Sequence, residues 1–541
     1  MDFIPVGQLF PEGSLIADCW GGKAAFTSLV PRHFLDRASF AGQAGLIDGR
    51  RYDREGLAEI LAAQNRAYSA GAEVMRQVEA LRDPRSVVVV GGQQAGLFGG
   101  PLYTLYKALT VLALSARLEP VLKRPVVPVF WIASEDSDLA EVDHARFTNA
   151  AGALDGVSLG GGSADKLPVS RISLGPEVRT ALTRLRTELP AGPLTDEVMA
   201  SLSRAYAPEA SYPAAFGVWM QACLKGRGLV LVDPSDPGLK RMAAGLFARE
   251  IMEKGPVARA VMRQEEKLRA RGYRIQIDLR ADMLTLFSQD PAREAISIAD
   301  GDFMLKSSGR RASSAQLLAR LENDPGSFTP NAVLRPLFQD TILPTLAVVL
   351  GPSELAYWAE LPEAYAEMGI PMPVLFPRAS FTLMEPKTAR LLSKHGLSFH
   401  DVISRKERIL DVLAAREIPD SLMTDLRGER ERSREAWAAL AEAVGGFEKT
   451  LKPTAQSASR AVSFRVDRLE RKMVKAAKRK NDLLRDHCLR ILSSLWPDGG
   501  LQERSLILPP FIARYGDGVI DLVLQRMDPF AAEHRIVRIP A

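Results

Sequence analysis

Within ten positions the chain carries Glu135, Asp136, Asp138, Glu141, Asp143 and His144, immediately after the apolar run VVPVFWIA at 126–133. Crowded carboxylates raise one another's pKa, so one can stay protonated while another acts as a base. They can also hold an ammonium group or Mg²⁺. The same residues fit a solvated helix start, where acidic side chains complement the dipole. A second set follows Val87–Val90 as GGQQAGLFGGPLYTLYK. Gly91 and Gly96 have the GxxxxG spacing of a phosphate loop, but Leu97-Phe98 stand where Lys-Ser/Thr belongs, and GxGxxG is not matched. Glycines there allow backbone N–H groups to approach a ligand, and a helix N-terminus favours an anion. Gln93 and Gln94 add neutral donors and acceptors; a plain strand-to-helix connection is the alternative. A third set flanks LAVVL at 346–350: Arg335 and Gln339 before it, then Gly351, Ser353, Glu354 and Tyr357 after it. Ser353 is placed to cap the next helix with Glu354 in its first turn. Arg335 could fork a carboxylate or make a structural salt bridge. PVLFPRASF adds Arg378 and Ser380.

These residues need elements to hold them. Each set follows or borders a short run rich in β-branched residues that stops at turn residues: 87–90, 126–133, 228–232, 346–350 and 373–376. Such runs read as buried strands. Leu102, Leu105, Leu109, Leu112 and Ala116 recur at helical spacing after the first. Strands alternating with helices predict a parallel sheet covered on both faces, with ligands beyond the carboxyl ends of the strands.

The chain of 541 residues, 46% hydrophobic and 25% charged, has the composition of a soluble folded protein of several lobes. It has no apolar run long enough for a membrane span, and MDFIPVGQLF lacks the features of a secretory signal. Cys19, Cys223 and Cys488 lie far apart with no CxxC. That pattern fits a reducing, cytoplasmic setting and gives no zinc cluster; no metal is expected. Gly152–Gly162 reads as a surface loop, Pro168–Tyr212 as helical with breaks, and Tyr273–Phe287 as a β-hairpin.

Between Arg378 and the closing segment the pattern changes. Trp437, Leu440, Val444, Phe447 and Leu451 keep an a/d rhythm; after Pro453, Val466, Leu469, Met473, Ala476, Lys480 and Leu483 keep another. This predicts an antiparallel coiled-coil arm whose two seams pair. At about 1.5 Å per residue, a helix of roughly 40 residues reaches about 60 Å. An arm that long calls for a second subunit to cover it. Arg465–Arg490 holds ten Lys/Arg and four Asp/Glu, a local charge of +6 against +5 for the whole chain. A solvated basic face accounts for this, with a tRNA- or nucleotide-binding, synthetase-like protein as the competing reading. The scarcity of interleaved aromatics counts against nucleic acid.

GGQQAGLFGGPLYTLYK, PVFWIASEDSDLAEVDH, VLRPLFQDTILPTLAVVLGPSELAYWAEL, PVLFPRASFTLME and LQERSLILPPFIARYGDGVIDLV together resemble the bacillithiol biosynthesis cysteine-adding enzyme family. Two departures stand out. Ser137 replaces the histidine of the family's usual Glu-Asp-His-Asp, and Asp143 stands where asparagine is common.

The resemblance implies an α/β fold: a Rossmann-like parallel-sheet core with inserted connecting segments and a long antiparallel α-helical coiled-coil arm used for homodimerisation. The expected boundaries are core at 1–150, an insert at 151–225, core at 226–265, a second insert at 266–330, core at 331–385, arm at 386–500, and a return segment at 501–541. The implied reaction joins the carboxyl of L-cysteine to the amine of glucosaminyl malate. Activation by ATP or another nucleotide follows from reaction logic, since no HIGH or KMSKS motif is present. Glu135, Asp138 and His144 are the candidates for deprotonating the amine. Arg335, Arg378, Lys107 and the Gly91–Gly92 backbone are candidates for the malate carboxylates. Gln93, Gln94 and Tyr103 suit the sugar hydroxyls, and Phe98 or Trp131 the thiol. Gln339, Gly351, Ser353, Glu354 and Tyr357 complete the expected binding surface.

Overall fold

A computed structural model describes residues 3–160, 167–289, 293–405 and 408–540. Val87, Val88, Val89 and Val90 are all fully buried, as a strand covered on both faces requires. They open β1 (Val87–Gln93), the centre of a five-stranded sheet with β2 (Val126–Ile132), β3 (Val230–Val232), β4 (Thr345–Leu350) and β5 (Val374–Pro377). The order is β5-β4-β1-β2-β3, and all pairings are parallel. This is the Rossmann-like arrangement, in which the chain winds one way from β1 to β3 and the other way through β4 and β5. The crevice between the carboxyl ends of β1 and β4 is therefore the topological switch point, where sheets of this kind bind ligands.

The chain divides into two compact units. The first comprises residues through Ala150, Asp155–Leu383 and Glu503–Ile539; the second is mainly Met384–Gln502. An antiparallel five-stranded sheet is inserted in the first unit, its central hairpin formed by Met283–Gln289 and Arg293–Ala299. The hairpin expected at Tyr273–Phe287 thus begins later. Residues 273–282 form no strand, and the Gln276 N–H donates to Glu360 Oε1 at 2.7 Å instead of to a ladder. Of the expected loop at Gly152–Gly162, Leu154–Ser158 is instead a strand paired with His144–Thr148, and the last two residues lie outside the described residues.

The first unit is closed by a buried pair. Arg378 donates through Nη2 to Glu503 Oε1 at 2.7 Å and through Nη1 to Oε2 at 3.1 Å, and the Phe381 N–H adds a third bond to Oε2 at 3.0 Å. Burial alone would push the Glu503 carboxyl up; Arg378 outweighs it and holds the group below the usual range.

In the second unit, helices Asp420–Phe447 and Lys452–Lys480 run antiparallel. Arg430 pairs with Asp467 at 2.7 Å and Glu470 at 2.6 Å, and Lys452 with Glu442 at 2.8 Å. The break falls at Glu448, which is extended, and Pro453 sits in the first turn of the second helix, where its missing N–H is harmless. Asn481 ends that helix and caps the next, Asp482–Leu495, by accepting from the Leu484 N–H. The expected seams do not close. Ala441 and Ala455 are buried, whereas Leu440, Leu469 and Phe447 remain 47%, 50% and 88% exposed.

Candidate active site

A cavity of about 670 Å³ opens at the carboxyl ends of β1, β2 and β4. Its chemistry is sorted by strand order. From the end of β2 come Glu135, Asp136 and Glu141; from beside β4 come Arg335, Gln339, Ser353, Glu354 and Tyr357; between them β1 supplies Gly92, Gln93 and Gln94.

The glycine loop after β1 spends its backbone donors on the protein itself. The Gly99 N–H donates to Tyr206 Oη at 2.8 Å, and the first helical amide, Leu102 N–H, donates to the Leu506 carbonyl at 2.8 Å. The glycines serve packing. A Cβ on Gly91 would lie 2.7 Å from Val111 Cγ2, and one on Gly92 would lie 2.9 Å from the Trp131 carbonyl oxygen. Lys107, in the helix that follows the loop, lies buried beneath it. It donates to the Gly92 carbonyl and Glu354 Oε2 at 2.5 Å each and to Gln93 Oε1 at 2.8 Å. Burial lowers its pKa and Glu354 opposes that shift. Glu354 is also the cap of its own helix, accepting the Gly351 N–H at 2.8 Å. It performs the capping expected of Ser353, whose place is on the cavity wall.

On the β2 side Glu135 is almost wholly buried and pairs with Lys240 at 2.5 Å. Burial raises the Glu135 pKa and the Lys240 ammonium opposes it. Ser134 donates to Asp233 at 2.5 Å just below. Gln94 Nε2 donates to Asp136 Oδ2 at 2.8 Å, which ties the tip of β1 to the acidic loop. Burial and the neighbouring Asp136 and Asp138 raise the Glu141 pKa.

The cations differ in what already holds them. Lys107 and Arg378 are neutralised by Glu354 and Glu503. Arg335 has only neutral partners: Nη1 donates to Gln339 Oε1 and Nη2 to Tyr357 Oη, both at 3.1 Å. Among the described residues no carboxylate pairs with Arg335 or with Arg504, which lines the same cavity. Three of the five Arg335 N–H groups make no hydrogen bond to the protein.

Fourteen of the seventeen expected site residues line this cavity: Gly92, Gln93, Gln94, Tyr103, Lys107, Trp131, Glu135, Arg335, Gln339, Gly351, Ser353, Glu354, Tyr357 and Arg378. Asp138, His144 and Phe98 do not. Asp138 is exposed at the start of the short helix Leu139–Val142. His144 faces outward, with Nδ1 at 3.0 Å from the Ala140 carbonyl and 3.3 Å from Asp143 Oδ1. Phe98 turns away at φ 54°, fully buried with its ring edge-on to Tyr206. Arg293, Asn331 and Arg504 line the cavity without having been expected. They come from the inserted sheet, the residue after it, and the return segment, where no local motif marks them.

Comparison with known proteins accords with this geometry. The family described as "Bacillithiol biosynthesis BshC, N-terminal Rossmann-like domain" matches residues 8–379, and "Bacillithiol biosynthesis BshC, C-terminal coiled-coil domain" matches residues 381–539. The chain belongs to this family. Relatives named "Putative cysteine ligase BshC" include one from Koribacter versatilis, 32% identical over 99% of each chain. Another, from Salinibacter ruber, is 32% identical over 98% of this chain and 96% of its own. A third, from Geobacillus kaustophilus, is 32% identical over 93% of each. The family domains meet between residues 379 and 381, close to the boundary at Leu383 between the two compact units. Among the described residues no helix is long and apolar enough to cross a membrane, and no group of three His, Cys, Asp or Glu could hold a metal ion.

Proposed function

We propose that the protein is the cysteine-adding ligase of bacillithiol synthesis, joining the carboxyl of L-cysteine to the amine of glucosaminyl malate. The observation that carries this reading is the charge order across the crevice. Arg335 and Arg504, two of the three lining guanidinium groups without a carboxylate in ion-pair contact, suit a dicarboxylate; the third, Arg293, lies in the field of Asp136 and Glu135. The acidic group at the end of β2 suits an amine that must lose a proton. Glu135 is the base of choice: one oxygen is held by Lys240, which fixes the carboxylate, and burial raises its proton affinity. Gln93, Gln94 and Tyr103, between the two, meet the sugar hydroxyls, and Trp131 lies against the apolar part of the ligands.

Amide formation needs an activated carboxyl, and a nucleotide is the co-substrate proposed to supply it. The two guanidinium groups serve a dicarboxylate and do not amount to a triphosphate cradle, so no residue here is assigned to the nucleotide. The exposed apolar residues of the arm support a homodimer built on that unit. No membrane or nucleic-acid partner is proposed, and the proposed setting is the cytoplasm.

The deciding experiment is a thiol profile of cells lacking the protein. Glucosaminyl malate should accumulate and bacillithiol disappear, and re-expression should reverse both. Normal bacillithiol in the deletion strain would reject the reading.

A further inference from the structure

Arg335 does not hold its own pose. It lies on the helix Leu334–Ile342, and its guanidinium is positioned by Gln339 and Tyr357. Gln339 can serve it only with the amide oxygen turned toward Arg335, because a guanidinium has no acceptor. What forces that orientation is Asp340, which is 2% exposed and does not line the cavity. Gln339 Nε2 donates to Asp340 Oδ1 at 2.9 Å, and the Tyr365 hydroxyl donates to Oδ2. Both Asp340 oxygens are thereby acceptors, so the amide nitrogen must face Asp340 and the amide oxygen must face Arg335. On the other flank, Tyr357 Oη accepts from Arg335 at 3.1 Å and from Trp358 Nε1 at 3.2 Å, which leaves its own proton for the cavity.

We infer that Asp340 is a positioning residue for substrate binding: by fixing the polarity of the Gln339 amide, it holds the Arg335 fork in the orientation that receives an anionic ligand. This rests on the reading that Arg335 grips the dicarboxylate portion of the substrate. Burial pushes the Asp340 carboxyl up to about 6, against the hydrogen bonds from Tyr365, Thr345 and Gln339, so it is ionised at neutral pH. Electrostatics and positioning then predict opposite signs. Removing a buried negative charge near Arg335 should tighten anion binding if charge alone matters. Losing the amide orientation should weaken it.

The test is calorimetric titration of the full-length protein with L-malate, well below the melting temperature of each variant. Asp340→Leu takes away the acceptor that holds Gln339 Nε2, frees the amide to turn, and should raise the malate Kd about tenfold or more, the usual consequence of losing a hydrogen bond to a charged group. Tyr365→Phe removes another Asp340 partner but leaves the Gln339 bond intact. It should lower the melting temperature with little change in Kd, which separates positioning from stability. If Asp340→Leu does not fold, Gln339→Leu breaks the same link and must raise Kd equally. In turnover, the loss should appear in KM for the amine substrate and not in kcat. An unchanged or lower malate Kd in Asp340→Leu, while Arg335→Lys weakens malate, would overturn the positioning role alone. If Arg335→Lys also leaves malate binding unchanged, the anion-site reading itself fails.

Discussion

The core and the arm leave opposite things unfinished. In the core a packed apolar interior surrounds three closed ion pairs, Lys107 with Glu354, Glu135 with Lys240 and Arg378 with Glu503, although a few large apolar side chains such as Val121 and Met252 stay at its surface. What is left open around its cavity is polar: the guanidinium groups of Arg293, Arg335 and Arg504 and the tip of an acidic loop. In the arm the ions pair along the surface, and what is left open is apolar, with Leu440, Phe447, Phe464 and Leu469 all about half exposed or more. Uncovered polar groups around a cavity suit a small charged ligand, and an uncovered apolar stripe suits another protein surface.

The largest effect should come from breaking a core pair. Glu503→Gln leaves the nearly buried Arg378 guanidinium, at the edge of the cavity, without its carboxylate, which should cost roughly 3–5 kcal/mol of stability. The thermal transition of the core should fall by many degrees, and an unshifted transition would mean that the pair is solvated in solution. Acid should act on the same unit through His534. This side chain is buried between Ser380 and Thr382, and burial pushes its pKa down to about 4. A depressed histidine pKa means that the unfolded chain binds the proton first. The neutral-form advantage is complete above the unfolded pKa of about 6.5, and is lost as pH falls from there toward 4, by on the order of 3 kcal/mol. His534→Gln should flatten melting temperature against pH in that window, and an equally steep profile would place the acid sensitivity elsewhere. Glu135→Gln also breaks a buried pair, so it should lower the melting temperature; below that temperature it should cut ligation by about a hundredfold, the usual worth of a general base, as measured by single-turnover rates, and a normal rate would remove Glu135 from that role. The smallest effect should be in the arm. Changing Phe447 and Leu469 to serine should weaken self-association by about tenfold or more at about 1.5–3 kcal/mol per buried large apolar side chain, leaving the core transition in place. Sedimentation decides it: wild-type protein that is monomeric at micromolar concentration would remove the dimer.

The sheet and its edge were legible in the sequence because a buried parallel strand is a local signal. Val87–Val90 and 346–350 could bury themselves in few other ways, and the polar residues after them had to fall on one edge. Direction within that edge was not legible. Glu135 and His144 lie nine positions apart in one acidic loop, yet one faces the cavity and the other faces out. The short helix at Leu139–Val142 turns the chain between them. Phe98 was misread for a related reason: its left-handed backbone, rare for a bulky residue, points the ring into the core. The partners of Lys107 and Arg378 come from 247 and 125 residues away, so their neutralisation could not be read from spacing. The arm was readable as two helices, but heptad rhythm specifies an apolar stripe without saying which chain covers it. Leu440 and Phe447 kept the rhythm and stayed exposed.

The clasp between Arg378 and Glu503 also fixes an order of events in the cell. The two residues are 125 positions apart, with nearly all of the second unit between them. At roughly 5–20 residues per second, synthesis takes about 6–25 seconds to reach Glu503 after Arg378 has been made. The arm is therefore complete on the ribosome before the core can receive its last segment, and for that interval the Arg378 guanidinium must stay hydrated. Closing the gap afterwards depends only weakly on its size, since each doubling of a connecting loop adds about 0.6 kcal/mol. The length of the arm thus bears little on how readily the clasp closes.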